Sequence, residues 1–201
     1  MTGLEDYKIM NMEARHISQV LGIADQELGE DYLEYHQVDE YLSKSNECVC
    51  KIVQDRKNEV IVFCLCKVVS LDKLEGYLKL KGEQLPSYVQ HSQRIGVIKT
   101  VGVKKQFQRH GIGFKLVEDC YMDIKSRGVE AICSVAWKNG DKVNIARILE
   151  NIGFEETIVV DDYWREDSIQ FNFQCPICGA PPCRCSAVMY FKQTSIYVKG
   201  N

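Results

Sequence analysis

Between positions 101 and 114 the chain reads Val101-Gly102-Val103-Lys104-Lys105-Gln106-Phe107-Gln108-Arg109-His110-Gly111-Ile112-Gly113-Phe114. Upstream, Arg94 to Val103 has the apolar pattern of a strand. Downstream, Gly113 to Arg127 carries Val117, Cys120, Tyr121 and Ile124 at helical spacing, and Gly128 supplies a stop. A glycine-rich turn from strand to helix aims several N–H groups at one point beside the positive end of the helix dipole, and its glycines let a phosphate approach the main chain. Such a turn suits a pyrophosphate. A P-loop would follow its last glycine with Lys and then Ser or Thr, but Phe114-Lys115 stands there; a dinucleotide fingerprint would want a small residue at Leu116. Neither motif fits. The side chains of Arg109 and His110 either add charge to the turn or are solvated.

Outward from this turn the pattern is mixed. A first strand is expected at Tyr7 to Asn11, a helix from about Met12, and a second, weaker helix over Tyr32 to Leu42. Cys48 to Gln54 and Val60 to Val69 are β-branched and apolar, and the polar Asp55-Arg56-Lys57-Asn58-Glu59 between them makes an antiparallel hairpin. Ser70 to Gln93 reads as a long polar connection, a candidate lid on the acceptor side. Beyond the turn, Ala131 to Trp137 reads as a strand, Lys142 to Asn151 as a helix, and Gly153-Phe154 opens a strand running to Val160. A last strand is expected from Ala187 to Phe191.

With 201 residues, 45% hydrophobic and 26% charged, the chain has the composition of one folded domain. A net charge of −3 argues against a nucleic-acid-coating surface. Met1 to Asp6 carries no basic leader, and the apolar run Val60 to Val69 is half a membrane span, so a cytoplasmic protein with no membrane partner is expected.

Gln108, Gly111 and Gly113 follow the spacing of the acetyl-CoA loop of the GNAT superfamily of N-acetyltransferases, which the chain resembles from about Cys48 to Val160, including Gly153-Phe154 after a late helix. The resemblance implies that the main chain of Val101 and Val103 pairs with the pantetheine arm and that Gln108, Arg109, His110, Gly111, Ile112 and Gly113 wrap the pyrophosphate of acetyl-CoA. It also implies an oxyanion donor in the main chain near Val101 to Val103. Two family positions depart: Leu149 stands where many members carry a tyrosine that protonates the leaving thiolate. Lys142 stands where an asparagine is usual, with Asn144 two residues later. The catalytic acid is therefore unassigned; Tyr163 and Glu166 are weak candidates just past the sixth strand, beside Asp161 and Asp162, and these acids suggest a cationic amine acceptor. Trp137 flanks the cofactor arm or is a core aromatic.

Ten cysteines in a reducing compartment point to thiols and metal ligands. Cys175, Cys178, Cys183 and Cys185, with Gly179 and Pro181-Pro182 reversing the chain between the pairs, suit a tetrahedral zinc site with no open position, hence a structural one; two disulfides, four free thiols or an iron–sulfur cluster are the alternatives. In the hairpin, a turn at Lys57 would set Cys48 opposite Cys66 and Cys50 opposite Cys64 on one face; side chains two apart on a flat strand stand about 7 Å from each other, which suits packing better than ligation. Cys120 and Cys133 are expected in the core.

The expected fold is α/β (α+β), a mixed, mostly antiparallel GNAT-like central sheet flanked by helices. Residues 1–174 form the acetyltransferase-like domain, and residues 175–201 form a zinc knuckle and final strand packed on it. The expected function is acetyl transfer from acetyl-CoA to a primary amine of a small molecule or protein. A non-catalytic acyl-CoA sensor and a zinc-dependent protein or RNA interaction module are the alternatives, and a homodimer is left open.

Overall fold

Two runs of β-branched and apolar residues, β2 (Cys48–Gln54) and β3 (Val60–Val69), form the hairpin around which a computed structural model of the chain, describing residues 7–194, is organised. β1 (Lys8–Asn11) pairs with the outer edge of β2, and β4 (Ile95–Val103) with β3. After β4 the chain makes a 3-10 turn (Lys105–Phe107) and α5 (Ile112–Ser126) and returns as β5 (Ala131–Asn139), which lies parallel to β4. β7 (Glu155–Val160) and β8 (Ser186–Gln193) complete the eight-stranded sheet, ordered β1-β2-β3-β4-β5-β8-β7, with the short β6 (Lys142–Val143) paired to β5. Every pairing except β4 with β5 is antiparallel. β8 thus enters the sheet between β5 and β7, so the strand following the cysteine-rich segment is an inner strand of the one sheet.

Alternation of side chains across the strands gives the sheet two apolar faces. One carries α5 and α6 (Ala146–Ile152): Leu116, Val117, Cys120 and Ile124 of α5 and Leu149 of α6 are fully buried against Cys64, Ile98, Ile132 and Tyr190. Each such large side chain contributes on the order of 1.5–3 kcal/mol by burial. The other face is covered by α1 (Ile17–Glu27) and α2 (Tyr35–Ser43) over β2 and β3, and by α3 (Leu71–Leu78) and α4 (Ser87–Gln90) over β4, β5 and β8. α7 (Arg165–Phe171) follows β7.

Three local expectations need correction. Ser70 to Gln93 is not an irregular connection: Leu74 and Leu78, four residues apart, build α3, and with Leu80, Leu85 and Val89 they are buried under the sheet. The helix expected over Lys142 to Asn151 begins at Ala146, because Gly140, at φ 56°, lets the chain reverse so that Lys142 and Val143 pair back onto Asn139 and Lys138. In the hairpin, an irregularity between Val53 and Gln54 shifts the register, so Cys48 faces Lys67, Val49 faces Cys66, and Lys51 faces Cys64. A slip of one residue sends Cys48 and Cys50 to the face opposite Cys64 and Cys66. Met1 to Asp6, read above for a leader, lies outside the described residues.

Candidate functional site

The parallel pairing of β4 with β5 runs only from Ile95–Ala131 to Ile98–Ser134, where the Ser134 hydroxyl donates to the Ile98 carbonyl at 3.0 Å. Beyond this point the two strands part. On β4, Leu65 of β3 faces Thr100 and Cys66 faces Ile98, leaving Lys99 as an extra residue. Such a bulge raises local twist and bends its strand, which opens the gap toward β5. The Lys104 N–H donates to the Ile61 carbonyl at 2.9 Å. Because an antiparallel ladder turns alternate residues to opposite sides, the N–H and C=O groups of Val103 and Val101 point away from β3 into the gap.

At the end of that gap lies the turn into α5. Arg109 and Gly111 take left-handed backbone angles, φ 63° and 78°. Among the described residues the N–H groups of Arg109 through Phe114 donate to no main-chain carbonyl. They form a cluster of free donors at the start of a 15-residue helix, the arrangement that holds a phosphate. A Cβ on Gly111 would meet nothing within 4 Å, whereas one on Gly113 would stand 3.1 Å from Val103 Cγ2, so Gly113 is where α5 packs against β4. The Gln108 side chain is a brace: its Nε2 donates to Glu27 Oε2 at 2.7 Å and to the Val103 carbonyl at 3.0 Å, while Glu27 Oε1 accepts the Lys105 N–H at 3.0 Å. The side chains of Arg109 and His110 are exposed.

Across the sheet, on the face of α1 to α4, the parting strands are met by side chains that sequence reading passed over: Tyr41 of α2, Lys67 of β3, Tyr77 of α3 and Lys99 of the bulge. The Lys67 ammonium lies 4.4 Å from the Tyr77 ring centre and Lys99 lies 5.5 Å from that of Tyr41. Burial lowers the pKa of both lysines, and Lys67 lowers that of Lys99 further. The signal available in sequence was a single lysine interrupting each of two apolar strands.

Tyr163 is buried and donates from its hydroxyl to the Tyr77 carbonyl at 2.9 Å; burial raises its pKa. Glu166 is exposed on α7. Asp161 accepts from Ser186 at 2.7 Å, and Asp167 pairs with Lys79 at 2.8 Å, so these acids tie the segment after β7 to its neighbours. Leu149 is fully buried, and Asn144 is exposed.

The sulfurs of Cys175, Cys178, Cys183 and Cys185 all lie within 4.8 Å of one another, with Cys185 3.7 Å from Cys175 and 3.5 Å from Cys178. Four thiolates around zinc, with Zn–S of about 2.3 Å, stand about 3.8 Å apart in a tetrahedron, so the set fits that ion. Cys175 and Gly179 exchange N–H to C=O bonds at 3.0 and 2.8 Å, and the Arg184 N–H donates to Cys178 Sγ at 3.3 Å. Trp137 packs with Trp164 against this cluster. The Ser168 hydroxyl accepts the Cys183 N–H at 2.8 Å, linking α7 to the knuckle. A second group also differs from expectation: Cys64 and Cys66 have sulfurs 3.5 Å apart, not the 7 Å or so of a flat strand, because the bulge opposite them twists β3. Cys120 of α5 joins them, all three fully buried.

Residues 78–165 match the family described as FR47-like protein. A search of curated proteins returns no match to this chain. Among solved structures, the ribosomal-protein-S18-alanine N-acetyltransferase from Escherichia coli is 13% identical with a TM-score of 0.65, over 97% of this chain and 98% of that one. The NatC complex bound to Gag peptide and CoA is 15% identical with a TM-score of 0.67, over 94% and 99%. An agmatine N-acetyltransferase is 10% identical with a TM-score of 0.64, over 94% and 99%. The chain has the GNAT acetyltransferase fold. No helix among the described residues is long and apolar enough to cross a membrane.

Proposed function

We propose that this protein transfers acetyl from acetyl-CoA to a primary amine. The observation that carries the proposal is the gap that opens between parallel β4 and β5 beyond Ile98 and Ser134 and ends at the free amides of the α5 turn. The pyrophosphate would lie on those amides and the pantetheine along the inward-turned groups of Val101 and the N–H of Val103, whose carbonyl Gln108 holds. In the reaction the amine nitrogen bonds to the thioester carbonyl carbon, the C–S bond breaks, and the sulfur leaves with the electron pair while the amine sheds a proton. A main-chain N–H in the gap would hold the developing oxyanion, a role that needs no side chain. An ordinary lysine-like amine is unprotonated in only about one molecule in a thousand near pH 7, so a proton path from acceptor to water is required. Tyr163 commits its hydroxyl to the Tyr77 carbonyl.

The cysteine knuckle would hold zinc in a closed, structural site; the ion would fix α7 and the preceding turn and take no part in transfer. The fold is shared with enzymes named for a protein amine and for a small one, so it leaves the acceptor open. Incubation with acetyl-CoA and a panel of small amines and peptides, read by mass spectrometry, is expected to give acetylated product. Coenzyme A binding without any product would establish the second reading, an acyl-CoA sensor, which the apolar Leu149 at the family's tyrosine position favours. Leu149→Met, a swap inside the core, is expected to keep the rate within about threefold; a collapse of rate in the folded variant would show that this position serves proton transfer.

A further inference from the structure

We propose that the acceptor carries, besides its amine, a carboxylate or phosphate group that binds between Lys67 and Lys99. The inference rests on the acetyl-transfer reading and names its substrate class. A cavity of about 320 Å³ opens on the sheet face opposite α5, between α2, α3 and strands β3 and β4. Its volume is at the small end of ligand pockets. Four lysines and two glutamates line it, so positive charge prevails. One of those glutamates, Glu40, is paired with Lys44. Lys67 and Lys99 have no carboxylate within ion-pair distance among the described residues; their neighbours are the faces of Tyr77 and Tyr41.

Two half-buried ammonium groups that repel one another are costly to hold together, and an anion between them offsets both the repulsion and the lost hydration. One hydroxyl beside them awaits a partner: Tyr41, which lines the cavity, has its Oη buried without a hydrogen bond. Native proteins leave few such groups unsatisfied, and a hydroxyl donor suits a carboxylate or phosphate oxygen. Position completes the argument. Lys99 is the bulged residue just past the last β4–β5 pair, so an anion at its ammonium places an attached amine beside the gap where the thioester would lie. Two of the acids from which a cationic acceptor was expected are engaged elsewhere, Asp161 with Ser186 and Asp167 with Lys79.

The test uses the full chain, acetyl-CoA, and amines in pairs that differ in the acid group: β-alanine against β-alaninamide for carboxylate, phosphoethanolamine against ethanolamine for phosphate. In the preferred pair the acidic member is expected to have kcat/KM about tenfold or more above its neutral partner. Replacing both lysines, Lys67→Met with Lys99→Met, should bring that ratio near one, while Lys99→Arg, which keeps the charge, should preserve most of it. Thermal melting checks the fold, and Lys99→Gln alone carries the comparison if the double variant does not fold. Equal rates within both pairs, or a preference for the neutral members, would overturn the anion site and leave acetyl transfer standing. If no amine is acetylated, the transferase reading falls; calorimetric titration with β-alanine and phosphoethanolamine then decides the site, supported by heat that the lysine variant loses and overturned by no heat in the natural protein.

Discussion

Gly111→Val is expected to weaken coenzyme A binding by about 100-fold or more, the equivalent of losing several amide–phosphate contacts. Gly111 sits at φ 78°, where a β-branched residue is a genuine outlier, and the left-handed conformation alone costs about 1–2 kcal/mol. Its Cβ position is open, with no protein atom within 4 Å, so the added side chain meets no wall, and it stands at the turn that carries the free amides of α5. Loss of binding should therefore exceed loss of stability. Gly113→Val makes the less clean experiment, since its first carbon would press on Val103 and move α5 off β4. Calorimetry on a variant that still melts cooperatively checks the result; unchanged affinity would remove the pyrophosphate from this turn.

The second large effect is expected from Cys178→Ser. Bound zinc should fall from one ion per chain toward none by elemental analysis, and the melting temperature by about 10 °C, corresponding to some 3–4 kcal/mol in a domain of this size. The loss would spread along identified contacts. Ser168 of α7 accepts the Cys183 N–H, and a Cβ on Gly29, in the turn between α1 and α2, would lie 2.4 Å from the Gln174 carbonyl, so the knuckle abuts α7 and the turn that leads into α2, one of the helices beside the acceptor cavity. Hydrogen exchange should rise in α7 and in that turn while the α5 turn stays protected, and acceptor binding should suffer more than coenzyme A binding. Zinc-free protein from a preparation without added metal, with all four thiols alkylated in the folded state, would refute the site.

What could be read in the sequence was what is written locally. The hairpin strands, β4, the amphipathic α5 and the glycine turn each announce themselves within a short window, and so do the paired cysteines of the knuckle. α3 escaped because Leu74 and Leu78 are set among lysines and glutamate, so the segment looked polar on average although its leucines are periodic. The hairpin register escaped because one irregularity at Val53 and Gln54 changes which face every preceding residue occupies. The acceptor cavity was illegible for a different reason: Tyr41, Lys67, Lys73 and Lys99 come from four separate elements, and only the bulge in β4 and the packing of two helices bring them together.

The place of β8 bears on how the molecule is made. This strand lies between β5 and β7, yet both neighbours precede it in the chain, so a ribosome delivers the two flanking strands before the one that joins them. Until Ser186 to Gln193 emerges, β7 has no strand to pair with and the long flank of β5 offers its hydrogen-bonding groups to any extended segment nearby, its own or another chain's. The cysteine knuckle immediately precedes that strand. Metal capture there would pin the incoming segment beside its slot while the nascent chain is still vulnerable, shortening the interval in which a half-built sheet can recruit the wrong partner.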